Sequence, residues 1–309
     1  MLAVPEKGVA TSAEAHNCRP DALADWVEAM VAFGQDGRVS GSDIVDVLKE
    51  EEIYDNQSFA WEMVANVVGE LDRRAECLGP SCPYVIRSGT VSRRRAWQDA
   101  PAHSFCLTLS LAKWYPAWAR KAGKNFNEQG RLFEELTASA LRQVMPSWNV
   151  HSTGWTAKKP VKISQVVPEV ARLLCETVGE ITPWVNSQAN EAGLDLLCFR
   201  TFQDNRPGMP ALMVQCASGL DYLSKAQTPD KKEWAQLVRF TAMPTRSLAT
   251  PFAFTEEEFK RVCNKVDGPL FDRCRLLLAD RDSHDWLPPK LAKALVAWIT
   301  PRVARLPAS

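Results

Sequence analysis

The sequence predicts an α/β protein with a central mixed sheet flanked by helices, a helical N-terminal domain and a helical C-terminal segment. Three observations predict this. The middle of the chain reads helix, strand, strand, strand, helix, strand, and its strand-like runs are short and apolar. The stretches before about residue 105 and after about residue 255 carry apolar residues at helical spacing. The 309 residues are 46% hydrophobic and 24% charged, the balance of an ordinary globular chain with room for more than one domain.

The elements follow in order. DALADWVEAMVAFG reads as a helix capped by Asp21, with Trp26, Met30 and Val31 on one face and Gly34 as its stop. SGSDIVDVLKEE reads as a helix capped by Ser40 or Ser42. NQSFAWEMVANVVGELDRR carries Phe59, Met63, Val67 and Leu71 at steps of four, the stripe of an amphipathic helix. PYVIRSGTVSRRR gives two β-type runs about Ser88-Gly89, a hairpin. LAKWYPAWARKAG is a connecting helix with aromatic anchors. GRLFEELTASALRQVMPSW is a helix that starts after Gly130 and ends at Pro146. WNVHSTGW is a short β-type run, ARLLCETVGE is helical, and a loop runs through Pro183 and Asn190. GLDLLCFRTF and PALMVQCAS are strands joined by a DNRPG turn. DKKEWAQLVRFTAM is a helix and LATPFAF a strand. EEEFKRVCNKV, DRCRLLLADR and LPPKLAKALVAWIT are helices, and ARLPAS is a loose tail. The implied domains are 1–105, 106–255 and 256–309.

Charge and cysteine usage limit the functions. Formal net charge is +0, so nucleic-acid binding requires a local basic face. No run approaches the length of a membrane span, and the opening residues do not form a leader. Nine cysteines, an odd number, fit reduced thiols in a cytoplasmic protein. Cys77, Cys82, His103 and Cys106 include zinc-ligating types at loose spacing. The absence of GxxxxGK[ST] and GxGxxG leaves no phosphate-binding loop of those kinds, so a motor-driven process would need a partner ATPase.

Three helices followed by a hairpin with Arg87, Arg93, Arg94 and Arg95 resemble a winged helix, which would set Arg93, Arg94 and Arg95 against a nucleic-acid backbone. The alternative is a helical packing domain with a solvated arginine run.

The chemistry gathers in the middle segment. Asp195 lies between apolar neighbours at the start of one strand, where a carboxylate is costly without a partner or a metal. Gln215 ends the next strand. A hairpin brings the two to one edge of the sheet. A hard cation takes oxygen ligands: the Asp195 carboxylate, the Gln215 amide oxygen and the Cys216 backbone carbonyl, with Glu134 on the preceding helix holding a bound water.

These residues, GRLFE with Glu134, GLDLL with Asp195 and QCA with Gln215, resemble the PD-(D/E)xK nuclease superfamily, the restriction-endonuclease-like fold, over roughly residues 125–255. The resemblance implies Mg²⁺- or Mn²⁺-dependent hydrolysis of a phosphodiester bond, usually in DNA, and a place in bacterial antiviral defence beside a partner subunit or as a homo-oligomer. Two positions after Gln215 the family usually has lysine, whereas this chain has Ala217. Lys225 is the substitute, to stabilise charge on the phosphate. Ala217, Ser218 and Gly219 would let a phosphate approach the strand end, with Ser218 as a hydrogen-bond donor. Trp155, Trp184 and Trp234 are candidates for base stacking, and Cys216 with His151 or His284 for nucleophilic catalysis, each set against plain packing. A non-catalytic nucleic-acid-binding or assembly subunit on the same fold is the alternative function.

Overall fold

The computed structural model describes residues 2–9, 18–121, 125–153, 162–180, 192–280 and 286–308. Along the chain run α1 (Pro20–Phe33), β1 (Arg38–Ser40), α2 (Gly41–Glu50), α3 (Gln57–Leu78), β2 (Tyr84–Arg87), β3 (Thr90–Arg93), α4 (Pro101–Trp114), α5 (Pro116–Lys121) and α6 (Phe126–Val144). Next come β4 (Asn149–Ser152), α7 (Ile163–Leu173), β5 (Thr177–Val178), β6 (Leu196–Phe199), β7 (Ala211–Cys216), α8 (Lys231–Leu237), β8 (Val238–Arg239) and β9 (Thr245–Ala249). The last are α9 (Glu256–Val266), β10 (Leu270–Phe271), α10 (Arg273–Leu277) and α11 (Pro289–Val303). The protein is mixed α/β, with a five-stranded mixed sheet and two small antiparallel sheets among the described residues.

The chain divides into two compact units, and the division differs from the three consecutive domains the sequence suggested. One unit holds residues 1–124, 251–255 and 273–309, and the other 125–250 and 256–272. The expected boundary at 105 falls inside α4, which runs unbroken from Pro101 to Trp114. The expected C-terminal extension of the core splits at Arg273, and its larger part belongs with the N-terminal residues.

In the first unit, α1 is buried on every side from Asp21 to Ala32. Its cap is not Asp21: Pro20 opens the helix, and Asp21 pairs with Arg19 at 2.8 Å. Ser40 caps α2 in a reciprocal capping box with Asp43. This settles the choice between Ser40 and Ser42 in favour of the residue three before an acidic partner. The order is α1, β1, α2, α3, β2, β3, and the antiparallel sheet has the order β1-β3-β2. Ser88 and Gly89 form the two-residue turn between Arg87 and Thr90, both at positive φ (48° and 71°), as a tight hairpin requires.

Charges buried beside α1 explain why it tolerates acids in a dry setting. Arg74 of α3 donates to Asp25 at 2.9 Å, Glu28 at 3.1 Å and Glu70 at 2.8 Å. Arg273 donates to Asp25 at 2.8 Å, and Arg73 forks onto Glu70 at 2.7 and 2.9 Å. Three carboxylates therefore meet three guanidiniums. Ser110 and Trp114 also donate to Asp25, at 2.5 and 2.8 Å. Burial alone would raise the Glu28 pKa, but Arg273 and Arg74 outweigh it and hold the group far below the usual carboxylate range.

In the second unit the sheet order is β10-β9-β7-β6-β4. The strands β4, β6 and β7 are successively antiparallel, while β9 runs parallel to β7 and β10 parallel to β9. Leu197, Phe199, Ala211 and Met213 pack on Val166 and Val170 of α7 and Trp234 and Leu237 of α8. Several elements begin earlier than sequence periodicity suggested. Asn125 caps α6 by accepting from the Glu128 N–H at 3.3 Å, so the helix starts at Phe126 and Gly130 lies within it. The helix expected at 171–180 is α7 at 163–173, and the strand expected at 248–254 is β9 at 245–249.

Candidate active site

Strand register carries Asp195 and Gln215 to one place. The register ends with Leu196 opposite Val214, and Asp195 and Gln215 are the next residues beyond that pair. Asp195 extends the ladder: its N–H donates to the Val214 carbonyl at 3.1 Å and its carbonyl accepts from the Thr153 N–H at 3.0 Å. Beyond it, the Cys216 N–H loses its β6 partner. The Asp195 carboxylate takes that role, with Oδ2 accepting from Cys216 N–H at 2.5 Å. The same oxygen accepts from Gln215 Nε2 at 2.5 Å, and Nε2 also lies 3.4 Å from the Cys216 carbonyl oxygen. A buried backbone N–H requires a partner, so a structural role for Asp195 is built into the strand end.

Alternation along β7 puts Gln215 on the face of Met213, the side of α7 and α8. Cys216 turns the other way, toward α6. Burial first, then the Asp195 and Glu134 carboxylates, push its thiol well above the usual range, with Thr137 beside it. The surroundings therefore favour the protonated thiol over the thiolate that nucleophilic catalysis needs. His151 sits on β4 opposite Leu197, and His284 lies outside the described residues.

Glu134 is half-buried while Glu135 is exposed and pairs with Arg131 at 2.6 Å. Of the two adjacent acids, Glu134 is the one whose charge acts at the strand end. Lys225 closes a 3-10 turn, Tyr222–Lys225, and is half-buried. Among the described residues no hydrogen bond or ion pair joins its ammonium to Asp195, Gln215 or Glu134. Ala217 is buried, and its N–H donates to Ala249 at 2.8 Å. The Ser218 carbonyl and hydroxyl oxygens accept from Gln129 Nε2 at 3.1 and 3.2 Å, so Ser218 ties the strand end to α6.

The other sequence candidates have structural employment. Arg93 donates to the carbonyls of Ala32, Gly34 and Gln35, closing the C-terminus of α1. Arg95 donates to the Ser81 carbonyl and to Asp280 at 2.9 Å, and Arg94 is exposed. Trp234 is fully buried and donates to the Ala192 carbonyl at 3.2 Å, so it cannot stack on a base. Trp155 and Trp184 lie outside the described residues. Among the described residues no three His, Cys, Asp or Glu side chains converge as a metal site. Cys77, Cys82, His103 and Cys106 therefore do not form a zinc centre, and His103 instead faces Glu28 at 3.4 Å.

Gln129 and Gly193 escaped sequence reasoning. Gly193 has φ +72°, and a Cβ there would stand 1.9 Å from Thr228 Cγ2 and 3.1 Å from Gln215 Oε1. It fixes the approach to Asp195. The signal for α6 was legible: Asn125 followed three residues later by Glu128 is a helix-start pattern, and it sets Gln129 in the first turns.

Comparison of the chain with protein-family models, with curated proteins and with solved structures finds no match.

Proposed function

We propose that the second unit is a metal-dependent phosphodiesterase of the PD-(D/E)xK, restriction-endonuclease-like kind, acting on DNA. The observation that carries this reading is the cross-strand pair Asp195–Gln215 at the end of an antiparallel pair, with a parallel strand beyond and Glu134 acting on the same strand end from the preceding helix.

The donor set fits a hard cation. Gln215 Nε2, a partially positive group, stands between two oxygens, Asp195 Oδ2 and the Cys216 carbonyl. Turning the amide over places Oε1 there instead, and three oxygens then face one another, which a cation would stabilise. Mg²⁺ or Mn²⁺ held by Asp195, Gln215 and the Cys216 carbonyl would supply Lewis acidity and a more acidic bound water. Glu134 orients the attacking water and accepts its proton. Lys225, on the turn that follows Ser218, offers an ammonium to the charge that develops on the phosphate.

The first unit supports a different role. Its α-β-α-α-β-β order and β1-β3-β2 sheet support the winged-helix reading. Yet the exposed residues of α3 are Trp61, Glu62, Asn66, Asp72 and Glu76 among others, with no free lysine or arginine among them. This face suits a protein partner, such as a defence-system subunit, better than a DNA groove. No described helix is long and apolar enough to cross a membrane. A cytoplasmic role in bacterial genome defence rests on the resemblance.

The test is incubation of the protein with linear, circular and single-stranded DNA and with RNA, in Mg²⁺, Mn²⁺ or EDTA, beside Asp195→Ala. Metal-dependent cutting that disappears in Asp195→Ala is expected. Cutting retained by that variant sinks the site assignment. A second reading, a non-catalytic binding or assembly subunit, is favoured by the saturation of Asp195 Oδ2 with two N–H donors. It predicts nucleic-acid binding with no cutting under any metal.

A further inference from the structure

Two large apolar side chains stand in solvent beside the same strand end: Phe126 is 66% exposed and Leu220 is 55% exposed. Phe126 opens α6, and Leu220 follows the QCASG stretch that ends β7. They are braced together. Gln129, one turn along α6 from Phe126 and on the same side of the helix, reaches Ser218, two residues before Leu220, with both of its bonds. The Asn125 cap fixes the first turn of α6 a second time.

Position ties this pair to the proposed chemistry. Glu134 lies roughly 12 Å further along α6, at about 1.5 Å per residue, and Cys216 is only four residues before Leu220. A strand whose scissile phosphate meets Asp195 and Glu134 would carry a neighbouring base over the Phe126 ring.

The surrounding charge indicates which kind of strand. Residues 125–131 contain Glu128 and Arg131, and Arg131 is already paired with Glu135. Residues 218–225 contain Asp221 and Lys225. Within these two described stretches the charges balance, which offers few of the Lys and Arg contacts that two phosphate backbones demand. A bare aromatic face needs an equally bare base face, and duplex bases hide theirs against their neighbours. Base–aromatic stacking is sequence-tolerant and strong enough to hold an unpaired strand.

We propose that Phe126 and Leu220, braced by Gln129 and Ser218, form a base-stacking platform that selects unpaired DNA at the Asp195–Gln215 site. The proposal rests on the nuclease reading for its position, and its binding step needs no metal. It also explains why an apolar pair persists at the mouth of a polar site: the platform stays dry only when a base covers it.

The experiment measures binding of labelled single-stranded and blunt duplex oligonucleotides by fluorescence anisotropy in EDTA. It uses the full chain, Phe126→Ala, Phe126→Trp, Leu220→Ser and Asp195→Ala. Single strands are expected to bind at least tenfold tighter than the duplex. Phe126→Ala should lose about tenfold, Leu220→Ser less, and Phe126→Trp should keep the affinity. The plot of log affinity against log salt should be shallow, with a slope of about −1 to −2, because each phosphate contact adds about −0.7 for a single strand. Thermal melts of the Phe126 variants should match that of the parent, since the side chain is in solvent. Equal binding by Phe126→Ala and the parent overturns the proposal, as does duplex binding as tight as single-strand binding or no binding at all. Concentration-dependent self-association that Phe126→Ala abolishes, with single-strand binding unchanged, would make the pair a contact between copies and also overturns it. The two readings fail separately. Tight single-strand binding without cutting in metal leaves the platform standing and removes the nuclease, and cutting that Phe126→Ala leaves intact does the reverse.

Discussion

At the scale of single residues, Asp195 has two separable duties. It accepts from Cys216 N–H and Gln215 Nε2, and it offers charge. Asp195→Asn keeps a carbonyl oxygen for those donors but removes the charge. Asp195→Ala leaves the Cys216 N–H without that acceptor and Gln215 Nε2 with only the Cys216 carbonyl, at about 1–3 kcal/mol. Denaturant unfolding should therefore rank the parent and Asp195→Asn close together with Asp195→Ala below, while under the proposed nuclease function neither variant should cut. Buried Glu28 gives a pH prediction. Its folded pKa is depressed by Arg273 and Arg74 against the cost of burial. Its contribution is thus fully present above the unfolded carboxylate pKa of about 4.3 and is lost as pH falls below that value toward the folded one. Urea midpoints measured from pH 7 down to pH 3 should fall steeply below about pH 4. Glu28→Gln should be less stable at pH 7, by about 3–5 kcal/mol for a broken buried pair, and should show a flatter acid limb. An unchanged acid limb would mean that the arginines do not hold Glu28 ionised.

At the scale of elements, two glycines carry the geometry. Gly193→Ala puts a methyl group 1.9 Å from Thr228 Cγ2 at φ +72°, so the turn before β6 must shift and Asp195 with it. Under the proposed function, a large loss of cutting with single-strand binding kept is the expected outcome. Gly89→Val strains the Ser88-Gly89 turn, whereas Ser88→Asn suits its positive φ. Thermal melts should show the first variant lower by about 1 kcal/mol or more and the second unchanged or slightly higher. Sequence periodicity found α3, whose apolar residues recur at steps of four, but not α4, which is buried almost all round from Ala102 to Leu111 and so shows no one-sided stripe. It missed β1, β5, β8 and β10, which have two or three residues each, too few for a period to be seen. The start of α6 lies four residues before Gly130, because the Asn125 cap and not the glycine decides it. The Asp195–Gln215 pairing was legible, since two strands and a turn fix register. The Gln129–Ser218 brace was not, because it joins residues 89 apart. The arginine run was misleading for a related reason: Arg93 and Arg95 serve carbonyls and a carboxylate far away in sequence.

At the scale of the whole molecule, the first unit is assembled from three separate stretches, with Arg273 supplying part of the charge balance at Asp25 and α11 packing on α4. A chain stopped after Asp272 should lose the cooperative unfolding of that unit while hydrogen exchange still protects β6, β7 and β9. Protection lost throughout would mean that the second unit depends on residues 273–309. The discontinuity sets an order of events during synthesis. The second unit has all its residues once position 272 has been translated, and Asp25 and Glu28 wait until then for the guanidinium of the next residue, Arg273, while α4 waits longer for α11. At about 5–20 residues per second, the nascent N-terminal segment spends on the order of ten seconds or more with its carboxylates short of a partner. A ribosome that stalls or terminates within 273–309 therefore releases a finished second unit attached to an open first one, a species that quality-control proteases can recognise by its unclosed half.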